Sequence, residues 1–244
     1  MNLRRLLLLA AAALLVPPAA LAQDALRVVT DATVPPMEFS KDGKRTGFDI
    51  ELVEAIGKAM NRKIEWIDID FKGLIPGLVS KRFYMAVSAI YITDERKKVV
   101  DFTDSYYAGG LVAMVKDGSA IKTLADLDGK KVSVQVGTKS VSYLGTSHPK
   151  VQLVEVEKNQ EMFNLVDIGR ADAAVTGKPA AFQYVRTRGG MRVLDQQLTT
   201  EEYGMALRKD TPELTKAVNG AIVKLKADGT YAQIVKKWFS NTAR

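Results

Sequence analysis

The chain has 244 residues, with 35 Lys and Arg against 28 Asp and Glu, a formal net charge of +7, and no cysteine. The lack of cysteine excludes disulfides, zinc–thiolate sites, thiol nucleophiles and an acylated N-terminal cysteine. Basic and acidic residues are interspersed without a long run of one sign, which argues for a solvated surface rather than a nucleic-acid footprint.

The N-terminus reads as a secretory signal. Arg4 and Arg5 are a positive n-region, residues 6–16 are apolar, and Ala20-Leu21-Ala22 offers a small-residue cleavage site, so residues 1–22 are expected to be removed. Pro17 and Pro18 break the apolar run before it could span the ~30 Å of a bilayer core. Losing Arg4 and Arg5 lowers the formal charge to +5, and the remaining chain is expected in the periplasm.

Residues 26–30 read as a buried strand, 31–36 as a loop fixed by Pro35 and Pro36, and Asp42-Gly43 as a turn. Asp49 reads as the N-cap of a helix to Met60, with Leu52, Ala55, Ile56 and Ala59 at helical spacing. A strand over 63–68, a short helix over 73–80 and an apolar strand over 85–90 follow. Thr93 caps a short helical turn, and Asp94 and Glu95 sit where carboxylates suit the helix dipole. Strands are expected at 112–115, 132–136, 151–156, 173–176, 192–194 and 203–207. Helices are expected at 123–127, after the loop 137–140, at 160–169, from Pro179, and at 212–227 and 231–238. This alternation predicts an α/β fold with largely parallel sheets.

Motifs then accumulate in a fixed order. Gly47-Phe-Asp-Ile-Glu51 is followed by Phe71-Lys-Gly-Leu-Ile-Pro-Gly-Leu78, then Ile92-Thr-Asp-Glu-Arg-Lys-Lys98 and Asp101-Phe-Thr-Asp-Ser-Tyr-Tyr107. Leu124-Ala-Asp-Leu-Asp-Gly-Lys130, Gly169-Arg-Ala-Asp-Ala173, Tyr203-Gly204, Asp228-Gly-Thr-Tyr231 and Lys237-Trp-Phe239 complete the series. Together they resemble the polar amino-acid-binding proteins of ABC importers, solute-binding protein family 3, with glutamine-binding proteins as near relatives. The resemblance implies a type II periplasmic binding fold of two lobes joined by two hinge segments. Lobe 1 would comprise 23–107 and 205–244, lobe 2 would comprise 110–200, and the hinges would lie near 106–110 and 201–204.

The resemblance also implies a site. Arg96, three residues after Thr93, would hold the ligand carboxylate through a two-pronged guanidinium contact. Ala89 and Tyr91 would present backbone groups, Tyr91 being bulkier than the family's usual residue. Asp31 would touch the ligand's side chain, with an Asx-turn as the plain alternative. Phe71 would form an aromatic wall, with core packing as its alternative. Thr138, Lys139 and Ser140 would reach over from lobe 2, where hydroxyls and N–H groups at a helix start suit an anion. Gly177 departs from the family, which carries there an aspartate for the ligand's α-ammonium. Three ligand classes stay open: an acidic amino acid whose ammonium goes to Asp31 or Glu38, a carboxylate without an ammonium, or a polar amino acid in a shifted pose.

The expected role is therefore amino-acid import, with a membrane permease of an ABC importer as partner, no nucleic-acid partner, no cofactor or metal, and a monomeric state. No enzymatic activity is expected. An enzyme of the dehydratase type would need a general acid or base, and the single histidine, His148, reads as a loop residue. A free-standing ligand sensor is the other alternative.

Overall fold

The structure is a computed structural model that describes residues 25–240, and the expected signal segment, 1–22, lies outside the described residues. Two five-stranded sheets organise two domains. The first sheet is ordered Ile64–Asp68, Leu26–Thr30, Met85–Ala86, Ala206–Leu207, Asp101–Phe102. The second is ordered Gln152–Val156, Lys131–Gln135, Ala173–Gly177, Leu111–Lys116, Met191–Gln197.

Four of the five strands in each sheet run in one direction, as the strand–helix alternation anticipates. One strand in each sheet is the exception to this largely parallel arrangement. Ala206–Leu207 runs antiparallel to both neighbours, and Leu111–Lys116 does the same in the other sheet. These are the first strands laid down after the chain passes from one sheet to the other, so each enters against the direction of its host sheet. The two crossings pair with each other: Tyr107–Ala108 lies antiparallel to Glu202–Tyr203.

The helix Phe48–Ala59 packs its apolar stripe inward, with Phe48, Leu52, Val53 and Ile56 fully buried. The helices Pro212–Ala227 and Thr230–Phe239 cover it, and the Phe48 ring meets Tyr106, Tyr107, Tyr231 and Phe239. Truncating Leu52 or Ile56 to alanine would cost about 2–5 kcal/mol, a large share of the ~5–15 kcal/mol that holds a domain folded. In the second domain Val132, Val134, Leu144 and Ala173 are completely buried, and Phe163 packs on Tyr184 with ring centroids 4.3 Å apart.

Two local expectations change in ways that shape the site. Gly47, not Asp49, is the N-cap of the helix, with φ 132° and a Cβ position only 2.2 Å from the Met37 carbonyl oxygen, a place no other residue fits. Asp49 instead turns inward, fully buried, and accepts hydrogen bonds from the Ala89 N–H at 2.9 Å and the Tyr106 hydroxyl at 2.9 Å. The strand anticipated over 85–90 stops at Ala86, because that tie to Asp49 bends the chain and holds Ala89 at φ 45°.

Candidate functional site

A cavity with about 490 Å³ of atom-free space, partly open to solvent, lies between the two sheets. The first domain contributes Phe71, Ser88, Ala89 and Tyr91, and the second contributes Gln135, Thr138, Lys139, Ser140 and Gly177. Seven of the nine residues expected at the site thus line one space. Ala89 is there because the chain leaves its strand, and a non-glycine residue at positive φ stores about 1–3 kcal/mol of strain that its surroundings must hold. Thr138 opens the helix Lys139–Ser147, but its hydroxyl donates to the Gln135 carbonyl at 2.7 Å, so it does not cap the helix's own N–H groups.

Arg96 and Asp31 lie behind the lining. Thr93 caps the turn Asp94–Lys97 by accepting from the Arg96 N–H at 3.2 Å, as its spacing anticipates. The Arg96 guanidinium then sits over the Phe71 ring, 5.7 Å from its centroid, and donates to the Tyr91 carbonyl at 2.9 Å and the Gly137 carbonyl at 3.3 Å. It therefore reaches both domains. Among the described residues no carboxylate forms an ion pair with it. Burial pulls its pKa down to about 10, with Tyr91 and Glu95 opposing that fall.

Asp31 is the converse case. It is 1 % exposed and fully engaged: Oδ2 accepts from the Phe71 N–H at 3.3 Å and the Gln135 amide at 2.7 Å, and Oδ1 accepts from the Thr33 hydroxyl at 3.0 Å. The Lys158 ammonium stands 3.5 Å from Oδ1 and 2.6 Å from Asp70. Burial raises the Asp31 pKa, and Lys158 opposes that rise. With Lys72 to Glu157 at 2.5 Å, these contacts form a polar clasp between the domains.

Beneath the cavity lies a carboxyl pair. Glu38 and Asp49 are both fully buried and close enough for the Asp49 charge to bear on Glu38, and Glu38 Oε2 and Asp49 Oδ1 find no hydrogen-bond partner among the described residues. Glu38 also accepts from the Ser88 hydroxyl at 2.8 Å. Burial pushes Asp49 up to about 6 and Glu38 well above the usual carboxylate range, the latter further by the Asp49 charge.

The wall near Gly177 holds two tyrosines. Tyr91 and Tyr203 hydroxyls are 3.2 Å apart, and their rings lie 4.7 Å apart centroid to centroid. Lys139 is countered at the rim by Glu201 at 3.6 Å, while Lys178 is exposed and turned to Gln197. His148 ends the helix Lys139–Ser147, against Tyr143, and is not part of the lining. Sequence reasoning missed Ser88, Gln135, Asn159, Thr176 and Tyr203 as lining residues. Only Tyr203 lay in a quoted motif, and there it marked a crossing rather than a wall.

Comparison with known proteins bears on what this geometry is for. The model of the bacterial extracellular solute-binding proteins, family 3, matches residues 26–241. The L-cystine-binding protein TcyJ of Escherichia coli (strain K12) is 34 % identical over 218 residues, covering 88 % of this chain and 82 % of the relative. An ancestral arginine-binding protein bound to glutamine superposes with a TM-score of 0.84 at 40 % identity, covering 88 % of this chain and 97 % of that one. An ancestral amino acid-binding protein described as a precursor of cyclohexadienyl dehydratase gives a TM-score of 0.83 at 41 % identity, covering 88 % and 95 %. Two mixed α/β domains around a shared cavity, matched along nearly every described residue, have the type II periplasmic binding fold, and the chain belongs to the bacterial extracellular solute-binding proteins of family 3.

Proposed function

We propose that this protein is the periplasmic capture component of an ABC importer and that it closes two domains around a small carboxylate-bearing solute, an amino acid (acidic ones included) or a close analogue. The observation that carries this reading is Arg96: a guanidinium reaching both domains beside the cavity, with no carboxylate paired to it among the described residues. A carboxylate entering the cavity supplies the missing charge and gains a two-pronged hydrogen bond in a water-poor setting. In this reading lobe 1 is 23–107 with 205–244, lobe 2 is 110–200, and the paired crossings near 106–110 and 201–204 are the hinges. The protein works as a monomer, is exported through a cleaved signal, and presents its closed form to a membrane permease. The cystine-binding and arginine-binding proteins it resembles support the solute class and the role.

A thermal-shift screen of the twenty L-amino acids and of small mono- and dicarboxylates tests it. A true ligand at a hundred times its Kd stabilises the folded protein by about 2.7 kcal/mol. A panel in which no carboxylate raises the unfolding temperature would refute the reading. Turnover of a bound carboxylate, followed by NMR, would move it to the enzyme class.

A further inference from the structure

We propose, resting on the carboxylate reading above, that the solute carries no ammonium: it is a carboxylate whose second polar group is neutral, an oxo, hydroxyl or amide group read by the Tyr91 and Tyr203 hydroxyls. The lining contains no Asp or Glu, and its one charged residue is the cation Lys139. A second cation, Arg96, adjoins it with no ion-pair partner among the described residues. Positive charge in the ligand would therefore meet only positive charge at the wall, and a desolvated ammonium without a partner is strongly disfavoured.

The carboxyls nearest the cavity are either engaged by other groups or set back from its lining. Asp31 is filled by Phe71 N–H, Thr33, Gln135 and Lys158. Glu38 takes the Ser88 hydroxyl, Asp49 takes the Ala89 N–H and the Tyr106 hydroxyl, and both carboxyls are fully buried behind the lining. Glu201 stands at the rim behind Lys139, 3.6 Å from its ammonium. Asp31 thus offers a ligand ammonium no free acceptor, and Glu38, whose Oε2 has no partner among the described residues, is 0 % exposed and does not line the cavity.

Gly177 explains how the wall is built. A Cβ there would lie 2.3 Å from the Tyr203 hydroxyl oxygen and 3.2 Å from that of Tyr91. The two hydroxyls occupy the space that a side chain at 177 would need, so an acidic residue at 177 and this tyrosine pair exclude each other. Each phenol can donate and accept, which suits a neutral oxygen or amide and offers an ammonium no compensating charge.

Isothermal titration calorimetry on the full mature protein tests this with matched sets: L-glutamate, 2-oxoglutarate and 2-hydroxyglutarate, then L-leucine, 4-methyl-2-oxopentanoate and its 2-hydroxy counterpart, then L-alanine, pyruvate and lactate. The expected result is that the tightest ligand lacks the ammonium and binds at least about tenfold tighter than its amino counterpart, a difference of about 1.4 kcal/mol. An amino acid that binds as tightly as or tighter than its oxo and hydroxy partners overturns this inference and leaves the carboxylate reading standing. Binding by none of the carboxylates overturns both. The double variant Gly177→Asp with Tyr203→Phe, checked for folding by circular dichroism, is expected to shift preference at least about tenfold toward the amino member of a set. A folded double variant with unchanged preference would remove Gly177 and Tyr203 from specificity.

Discussion

Asp31 and Arg96 lie on the same side of one cavity, and both reach across to the second domain, yet their charges are settled differently. Asp31 finds Gln135 and Lys158 on the far side and leaves nothing for a solute. Arg96 finds only carbonyl oxygens there and at Tyr91. The clasp at Asp31 joins the two domains through its own ion pairs, and in the proposed function it serves closure. Arg96 has no ion-paired carboxylate among the described residues, and in the proposed function the solute supplies one. Specific capture needs both regions: one that brings the domains together, and one that makes closure favourable only when the right molecule is inside.

Mutations separate the two. The largest effect is expected at the cation: Arg96→Ala removes one side of a desolvated charge pair, costing about 2–5 kcal/mol, or about thirty- to several-thousand-fold in Kd by titration calorimetry. The clasp is partly exposed, so Lys158→Met is expected to weaken solute binding only about two- to fivefold. It should also shift the ligand-free protein toward a larger radius of gyration in small-angle scattering. Equal losses from the two variants would erase the distinction drawn here. Lys139→Gln is expected to fall below both, under about threefold in Kd, because Glu201 already offsets that charge at the rim.

The smallest effect concerns pH. Glu38 has its folded pKa raised above 4.5 and Asp49 above 3.8 to about 6, both chiefly by burial. The folded state therefore holds a proton that the unfolded chain releases as pH rises past those ordinary values. The pair's stabilising share is full at low pH and declines through the window up to about pH 6 and beyond for Glu38. Glu38→Gln needs no such proton, so its unfolding temperature relative to the parent should improve as pH rises from about 4.5. A pH-independent difference between parent and variant would show that burial does not raise the Glu38 pKa.

Local features were the legible ones. Thr93 and Arg96 are three residues apart, and a cap is a short-range event, so the turn could be read directly. The alternation of strands and helices conveyed the α/β class for the same reason. What could not be read depends on distant partners. Asp31 meets Gln135 and Lys158 across 104 and 127 residues, so its acidity pointed to a ligand when its partners are internal. Asp49 matches the local pattern of an N-cap, and the competing pull of the buried Ala89 N–H and the Tyr106 hydroxyl decided otherwise. Gly177 and Tyr91 each looked like a separate departure from the family. Their connection through Tyr203 is a packing relation among residues as far as 112 positions apart, and only three-dimensional structure reveals it.

The most direct test is a crystal structure of the protein grown with whichever carboxylate of the screen raises its unfolding temperature most. The account requires both carboxylate oxygens within about 3.2 Å of the Arg96 guanidinium nitrogens, with the solute enclosed between the domains. A bound solute whose carboxylate lies elsewhere, with Arg96 still donating only to the Tyr91 and Gly137 carbonyls, would contradict it.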